Sequence, residues 1–211
     1  MVYIIFICFA VPLALMLPLL HDQSRRLVAF MLLGAAIAVS SAELNGAIRS
    51  ILGLSALDVS LKTAPLLEEL LKAFPVLLYA IFGSDDQKKV LPLGMSVGIG
   101  FAILENTYLL VGNLLSVSLG WALIRGLATS LMHGMCTFII GCGIIFVRKQ
   151  KKLFYTGTFG LLAVAVTFHS TFNLLIQSRW NRIGMFLPIT VYLAAQLILL
   201  RLRKRPAPSS N

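Results

Sequence analysis

The stretch Ala64-Pro65-Leu66-Leu67-Glu68-Glu69-Leu70-Leu71-Lys72-Ala73-Phe74-Pro75 decides how this chain is read. It sets two adjacent carboxylates and a lysine in the middle of a segment apolar enough to cross a membrane. An ionisable group in a spanning helix costs roughly 2.5–3.5 kcal/mol on insertion scales. A chain that keeps three of them within one turn and a half is using the charge.

Composition around that stretch agrees. Of 211 residues, 58% are hydrophobic and only 12% charged, against about 25% charged in a soluble domain. The net charge of +10 does not point to nucleic acid, because the basic residues sit in short clusters between apolar runs, where they set membrane topology. Cys8, Cys136 and Cys142 lie in apolar segments without zinc-knuckle spacing and read as small buried side chains. The apolar run at the N-terminus precedes Arg25 and Arg26, the reverse of a signal peptide. It reads as an uncleaved first span.

A span needs about 20 apolar residues. Seven segments meet that, roughly 1–20, 27–46, 63–83, 90–112, 120–147, 153–176 and 183–202. The expected fold is all-α: a polytopic transmembrane helical bundle of about seven spans, one domain over 1–202, with a disordered basic tail over 203–211. Segment 47–62 reads as the longest loop, with room for a short interfacial helix around Leu54, Leu57 and Asp58.

Twelve basic residues fall on one side of these spans: Arg25, Arg26, Lys88, Lys89, Arg148, Lys149, Lys151, Lys152, Arg201, Arg203, Lys204 and Arg205. Four fall on the other: Arg49, Lys62, Arg179 and Arg182. The bias predicts a cytoplasmic C-terminus and an N-terminus outside.

Other spans supply partners for the acidic stretch. Counting about 1.5 Å per residue down each helix puts Glu68, Glu69, Glu105 and His169 at similar depth below the outer surface. Asn173 shares the His169 face by i, i+4 spacing. Arg125 lies near the outer end of its span, and His133 comes out deeper, near mid-membrane. Scattered structural polars would not converge in this way. Glu68, Glu69 and Glu105 outnumber Lys72 and Arg125, so one carboxylate is expected to hold a proton, share one as a general base near neutral pH needs, or face a metal. The i, i+4 spacing pairs Lys72 with Glu68 and leaves Glu69 the freer of the two. Peptide hydrolysis needs a base for water, donors for the oxyanion and an acid for the leaving amine. These residues can supply all three. Neither a Gly-x-Ser-x-Gly elbow nor a His-Glu-x-x-His zinc motif is present.

The order of motifs resembles the PrsW family of intramembrane proteases. The residues that carry the resemblance are Glu68-Glu69-Leu70-Leu71-Lys72, Phe101-Ala102-Ile103-Leu104-Glu105-Asn106, His133 with the later Gly141, and His169-Ser170-Thr171-Phe172-Asn173. They span about residues 60–176. That family is related to the CAAX prenyl endopeptidases and bacteriocin-processing proteins, whose motifs are E-E-x-x-x-R, F-x-x-x-H and H-x-x-x-N. Here Lys72 replaces the arginine one position early, and Glu105 stands where the wider group has histidine. The resemblance implies an intramembrane endopeptidase of the bacterial inner membrane that cuts a single-span membrane protein, such as an anti-sigma factor, near the outer face. It implies Glu68, Glu69, His133 and His169 as catalytic, with Asn173 on the oxyanion. Lys72, Glu105, Asn106 and Arg125 are expected to support charge or substrate. The sequence favours water activated without metal. Zinc, if present, is expected on Glu105, His133 and His169. A proton-coupled transporter or a non-catalytic scaffold would also keep ionisable groups in its spans, but the chain lacks the internal repeat common in transporters.

Overall fold

The computed structural model describes residues 2–113, 117–149 and 155–203, and among these there is no strand. The helices are α1 Val2–Met16, α2 Asp22–Leu52, α3 Ala56–Asp58, α4 Ala64–Phe82, α5 Gln87–Val111, α6 Leu119–Lys149, α7 Leu161–Ile176 and α8 Asn181–Arg203. Wider π-type turns run into α4 at Val59–Thr63 and into α7 at Tyr155–Gly160. Among the described residues six stretches are long and apolar enough to cross a membrane. They coincide with α1, α2, α5, α6, α7 and α8. The seventh long helix is α4, which carries Glu68, Glu69 and Lys72. The chain is a helical membrane bundle, as expected.

Helix α4 is turned inside out relative to a helix in water. Its buried stripe contains Pro65, Glu69, Lys72, Val76 and Ala80, while Leu66, Leu70, Phe74, Leu77 and Ile81 are exposed. A soluble amphipathic helix does the opposite. Lipid accepts the leucines, and the bundle interior must satisfy the charges. Pro75 lies within the helix, which continues to Phe82.

Helix α5 lies between α2 and α6, and small residues let the backbones close. A side-chain carbon at Gly94 or Gly98 would run into the Thr137 or His133 carbonyl of α6. One at Gly100 would strike the Met31 carbonyl of α2. The Gly94-x-x-x-Gly98 face therefore holds α6 close, with His133 at the contact. Val76, Val90, Val97, Ala128, Met132, Cys136, Ile140, Ala165 and Phe172 form the main core. Helix α1 packs by Val2, Ile5, Phe6 and Phe9 against a smaller core of α2 and α5.

Two expectations are corrected. Most of segment 47–62 is helical, not loop. Residues 47–52 hold no breaker, so α2 runs on until Gly53, whose φ of 61° caps it in the left-handed region. Ser55 then caps α3 by accepting from the Asp58 N–H at 3.0 Å. The second correction concerns depth. The His133 carbonyl lies against Gly98, seven residues before Glu105 on α5, so its backbone is deeper than Glu105, as counted. Side chains lean toward a helix's N-terminus, however, and on these antiparallel helices that brings His133 Nε2 to 2.7 Å from Glu105 Oε2. Of the expected tail, Arg203 closes α8, and 204–211 lie outside the described residues.

Candidate active site

Helix α4 enters the bundle through an irregularity that its sequence explains. The turn Val59–Thr63 is wound wider than an α-helix, and the Ala64 N–H reaches five residues back to the Val59 carbonyl. The next donor in that ladder would be Pro65, which has no N–H. The Ser60 carbonyl is thus left free, and the Asn173 side-chain amide donates to it at 3.0 Å. One turn along α7, Gln177 donates to the Ser60 hydroxyl at 2.7 Å. Helix α7 is thereby tied to the start of α4, with His169 one turn from Asn173.

The two glutamates then part company. Glu69 lies on the buried stripe and is fully buried, as is Lys72. The Lys72 ammonium donates to Glu69 Oε1 at 2.6 Å, and His169 Nδ1 lies 2.9 Å from the same oxygen. Glu68, 100° around the helix, leaves the stripe and lines a cavity. Its Oε2 is 3.7 Å from His169 Nε2, and its side chain keeps 14% exposure. The spacing argument is therefore reversed: Lys72 pairs with Glu69 at i, i+3, and Glu68 is the freer carboxylate.

His133 joins this group from α6. Its Nδ1 is 2.8 Å from Lys72 Nζ, and its Nε2 is 2.7 Å from Glu105 Oε2. An ammonium can only donate, so Nδ1 is the acceptor there and the Nε2–H donates to Glu105. Lys72 sits 4.5 Å above the Phe101 ring, which packs on His133 with centroids 4.8 Å apart. The His133 and His169 rings meet edge-on at 4.8 Å. Arg125 approaches Glu105 Oε1 only to 4.0 Å. Asn106 is buried beside Glu105, its Oδ1 without a partner among the described residues.

A cavity of about 510 Å³ opens onto these groups, lined in part by Glu68, Glu105, Arg125, His169 and Asn173. Its walls are the C-terminal turns of α2, α5 and α7 and the N-terminal turns of α4 and α6. In an up-and-down bundle these all lie at one end. Of the expected site residues, Glu68, Glu69, Lys72, Glu105, Arg125, His133 and His169 form one contact network, and Asn173 borders it. Sequence reasoning missed Ser60 and Ser41 and gave Phe101, quoted only within its motif, no role in the site. Ser60 was detectable only as the residue five before Pro65. Phe101 stands one turn before Glu105. Ser41 lines a smaller cavity with Glu68 and Glu105 and accepts from Asn45 at 3.2 Å.

The donor set can accommodate a divalent ion. One ligand atom each from Glu68, His133 and His169 lie within 4.8 Å of one another, and two imidazoles with a carboxylate are a frequent catalytic zinc shell. Glu69 backs His169 as carboxylates back ligating histidines, and Glu69 Oε2 is a buried oxygen with no hydrogen-bond partner among the described residues. Glu105 contacts His133 instead of completing this trio.

Comparison with known proteins gives one family. The family model of PrsW family intramembrane metalloproteases matches residues 23–202. No curated protein and no solved structure matches the chain.

Proposed function

The chain belongs to the PrsW family of intramembrane metalloproteases, a membrane-embedded protease, and from that premise we propose that it hydrolyses a peptide bond of a single-span membrane protein in the cavity bordered by Glu68, Glu105 and His169. The observation that carries the proposal is the division of labour in the glutamate pair. Glu69 is sealed inside with Lys72 and His169, whereas Glu68 faces the cavity next to His169 Nε2.

In this reading Glu69 accepts the Nδ1–H of His169 and so leaves Nε2 unprotonated toward the cavity. Lys72 offsets the Glu69 charge. Glu68, His133 and His169 would hold a divalent ion, which when bound lowers the pKa of a water and polarises a carbonyl. As a ligand His133 would offer Nδ1, giving up its contact with Lys72, and would keep its Nε2–H on Glu105, whose side chain is 35% open. The sequence favours a metal-free site because an ion beside Lys72 and Arg125 leaves a net positive charge in a dry layer. The open Glu105 and Glu68 side chains remove that objection, since water reaches them.

The reaction adds one water. Its oxygen bonds the carbonyl carbon, the π pair moves to the carbonyl oxygen, and a cavity carboxylate takes the proton. Collapse of the tetrahedral adduct breaks the C–N bond, and that proton goes to the leaving amine. Glu105 takes the proton when Glu68 is engaged as a ligand. Glu68 takes it otherwise.

The basic clusters support a cavity end that faces outside, which suits cleavage near the outer face of a bacterial inner membrane. An anti-sigma factor is the substrate class that the resemblance suggests. Purified protein should cut a single-span substrate in detergent, and Glu68→Gln should not. Equal cutting by both would remove the assignment.

A further inference from the structure

Arg125 is 8% exposed. Among the described residues it donates no hydrogen bond, its Nε has no partner, and its nearest carboxylate is 4.0 Å away. Buried guanidinium groups are ordinarily paired, because five N–H donors without acceptors are costly. Here the side chain lines the polar cavity and is steadied only by Glu105 and by Trp121, whose ring centroid lies 5.4 Å from the guanidinium.

The other side-chain amides of the lining each already spend an N–H inside the protein. Asn173 donates to Ser60, His169 is held by Glu69, Asn45 donates to Ser41, and Gln177 donates to Ser60. Arg49 stands at the exposed rim. The two cavity carboxylates, Glu68 and Glu105, are acceptors and would repel an anionic side chain. What the cavity lacks is a neutral acceptor that becomes negative during reaction. The carbonyl oxygen of the scissile peptide meets that description.

We propose that Arg125 is the hydrogen-bond donor to the scissile carbonyl oxygen and stabilises the oxyanion formed when water adds to its carbon. The inference rests on the protease reading above. One amide N–H of Asn173 ties α7 to the turn before α4. One consequence is electrostatic. Glu68, Glu69 and Glu105 against Lys72, Arg125 and a divalent ion leave one positive charge, and the oxyanion cancels it.

The test compares wild type, Arg125→Lys and Arg125→Ala in one detergent, on one single-span substrate, with thermal unfolding as the check on folding. Loss of one oxyanion donor costs about 100-fold in kcat. Arg125→Ala should show that loss with KM within about threefold, and Arg125→Lys should recover part of it. A phosphinate peptide, whose anionic oxygens mimic the adduct, should bind Arg125→Ala far more weakly than wild type, while uncleaved substrate binding hardly changes. Equal phosphinate affinity in the two proteins would overturn the proposal even if Arg125→Ala were destabilised. So would wild-type kcat in Arg125→Ala. An inert wild-type protein would instead remove the protease reading and this inference with it.

Discussion

Residue identity matters most where two glutamates stand side by side. Glu68 faces the cavity and Glu69 the interior, so the same substitution should act differently at each. Glu68→Gln, Glu69→Gln and His169→Ala should each lower cleavage by about three orders of magnitude or more, and the Glu68→Gln/His169→Ala pair should be little worse than its worse member. Near-wild-type cleavage in all three would end the assignment. Stability should separate the glutamates. Removing one partner of a buried ion pair costs about 3–5 kcal/mol, whereas removing both is often neutral. Glu69→Gln strands Lys72 and should unfold at lower temperature than Glu68→Gln. Adding Lys72→Met to Glu69→Gln should restore most of the stability and none of the activity. If Glu69→Gln unfolds like wild type, the buried pair is not what holds that stripe. The sequence showed that the charges would be used. Which glutamate turned inward was decided by the stripe Pro65, Glu69, Lys72, Val76 and Ala80, and so by the neighbours of α4.

At the scale of elements, the site depends on how closely α5 approaches α6. Gly98 lies against the His133 backbone. Gly98→Ala should therefore destabilise the protein and lower cleavage, because it pushes His133 away from Lys72 and Glu105. Gly120, at the start of α6, has open space around it. Gly120→Ala serves as the control, worth at most about 1 kcal/mol of helix propensity in its favour. Indistinguishable unfolding temperatures for the two variants would show that the α5–α6 approach is not limiting. The Gly-x-x-x-Gly spacing was legible in the sequence, since small residues four apart share a helix face. The turn before α4 was not. Its Ser60 carbonyl is freed by a proline five residues later and taken up by Asn173, more than one hundred residues along the chain.

For the molecule as a whole, two measurements matter. Reporter fusions at Asn113 and Gln150 should fall on opposite sides of the membrane, Gln150 inside, because the basic clusters outnumber the opposite side by twelve to four. The same side for both would undo the outward placement of the cavity. Elemental analysis should find about one divalent ion per chain, lost from His133→Ala and His169→Ala, with cleavage abolished by a chelator and restored by zinc. Full activity in metal-free protein would restore the metal-free water that the sequence favours.

The sequence alone determined that this is a helical membrane bundle, where its long helices lie, and that Glu68, Glu69, Glu105 and His169 converge, whereas His133 counted deeper and was brought in by the structure. Those properties follow from local quantities: apolar run length, the cost of charge in lipid, and spacing along a helix. Tertiary structure alone decided the pairings. Lys72 bonds Glu69 rather than Glu68, His133 bridges Lys72 and Glu105, and Arg125 lines the cavity with no hydrogen-bond acceptor among the described residues. Glycine contacts, the antiparallel register of α5 on α6 and the direction of each buried stripe set those distances. They depend on which backbones touch, and one-dimensional spacing does not record it.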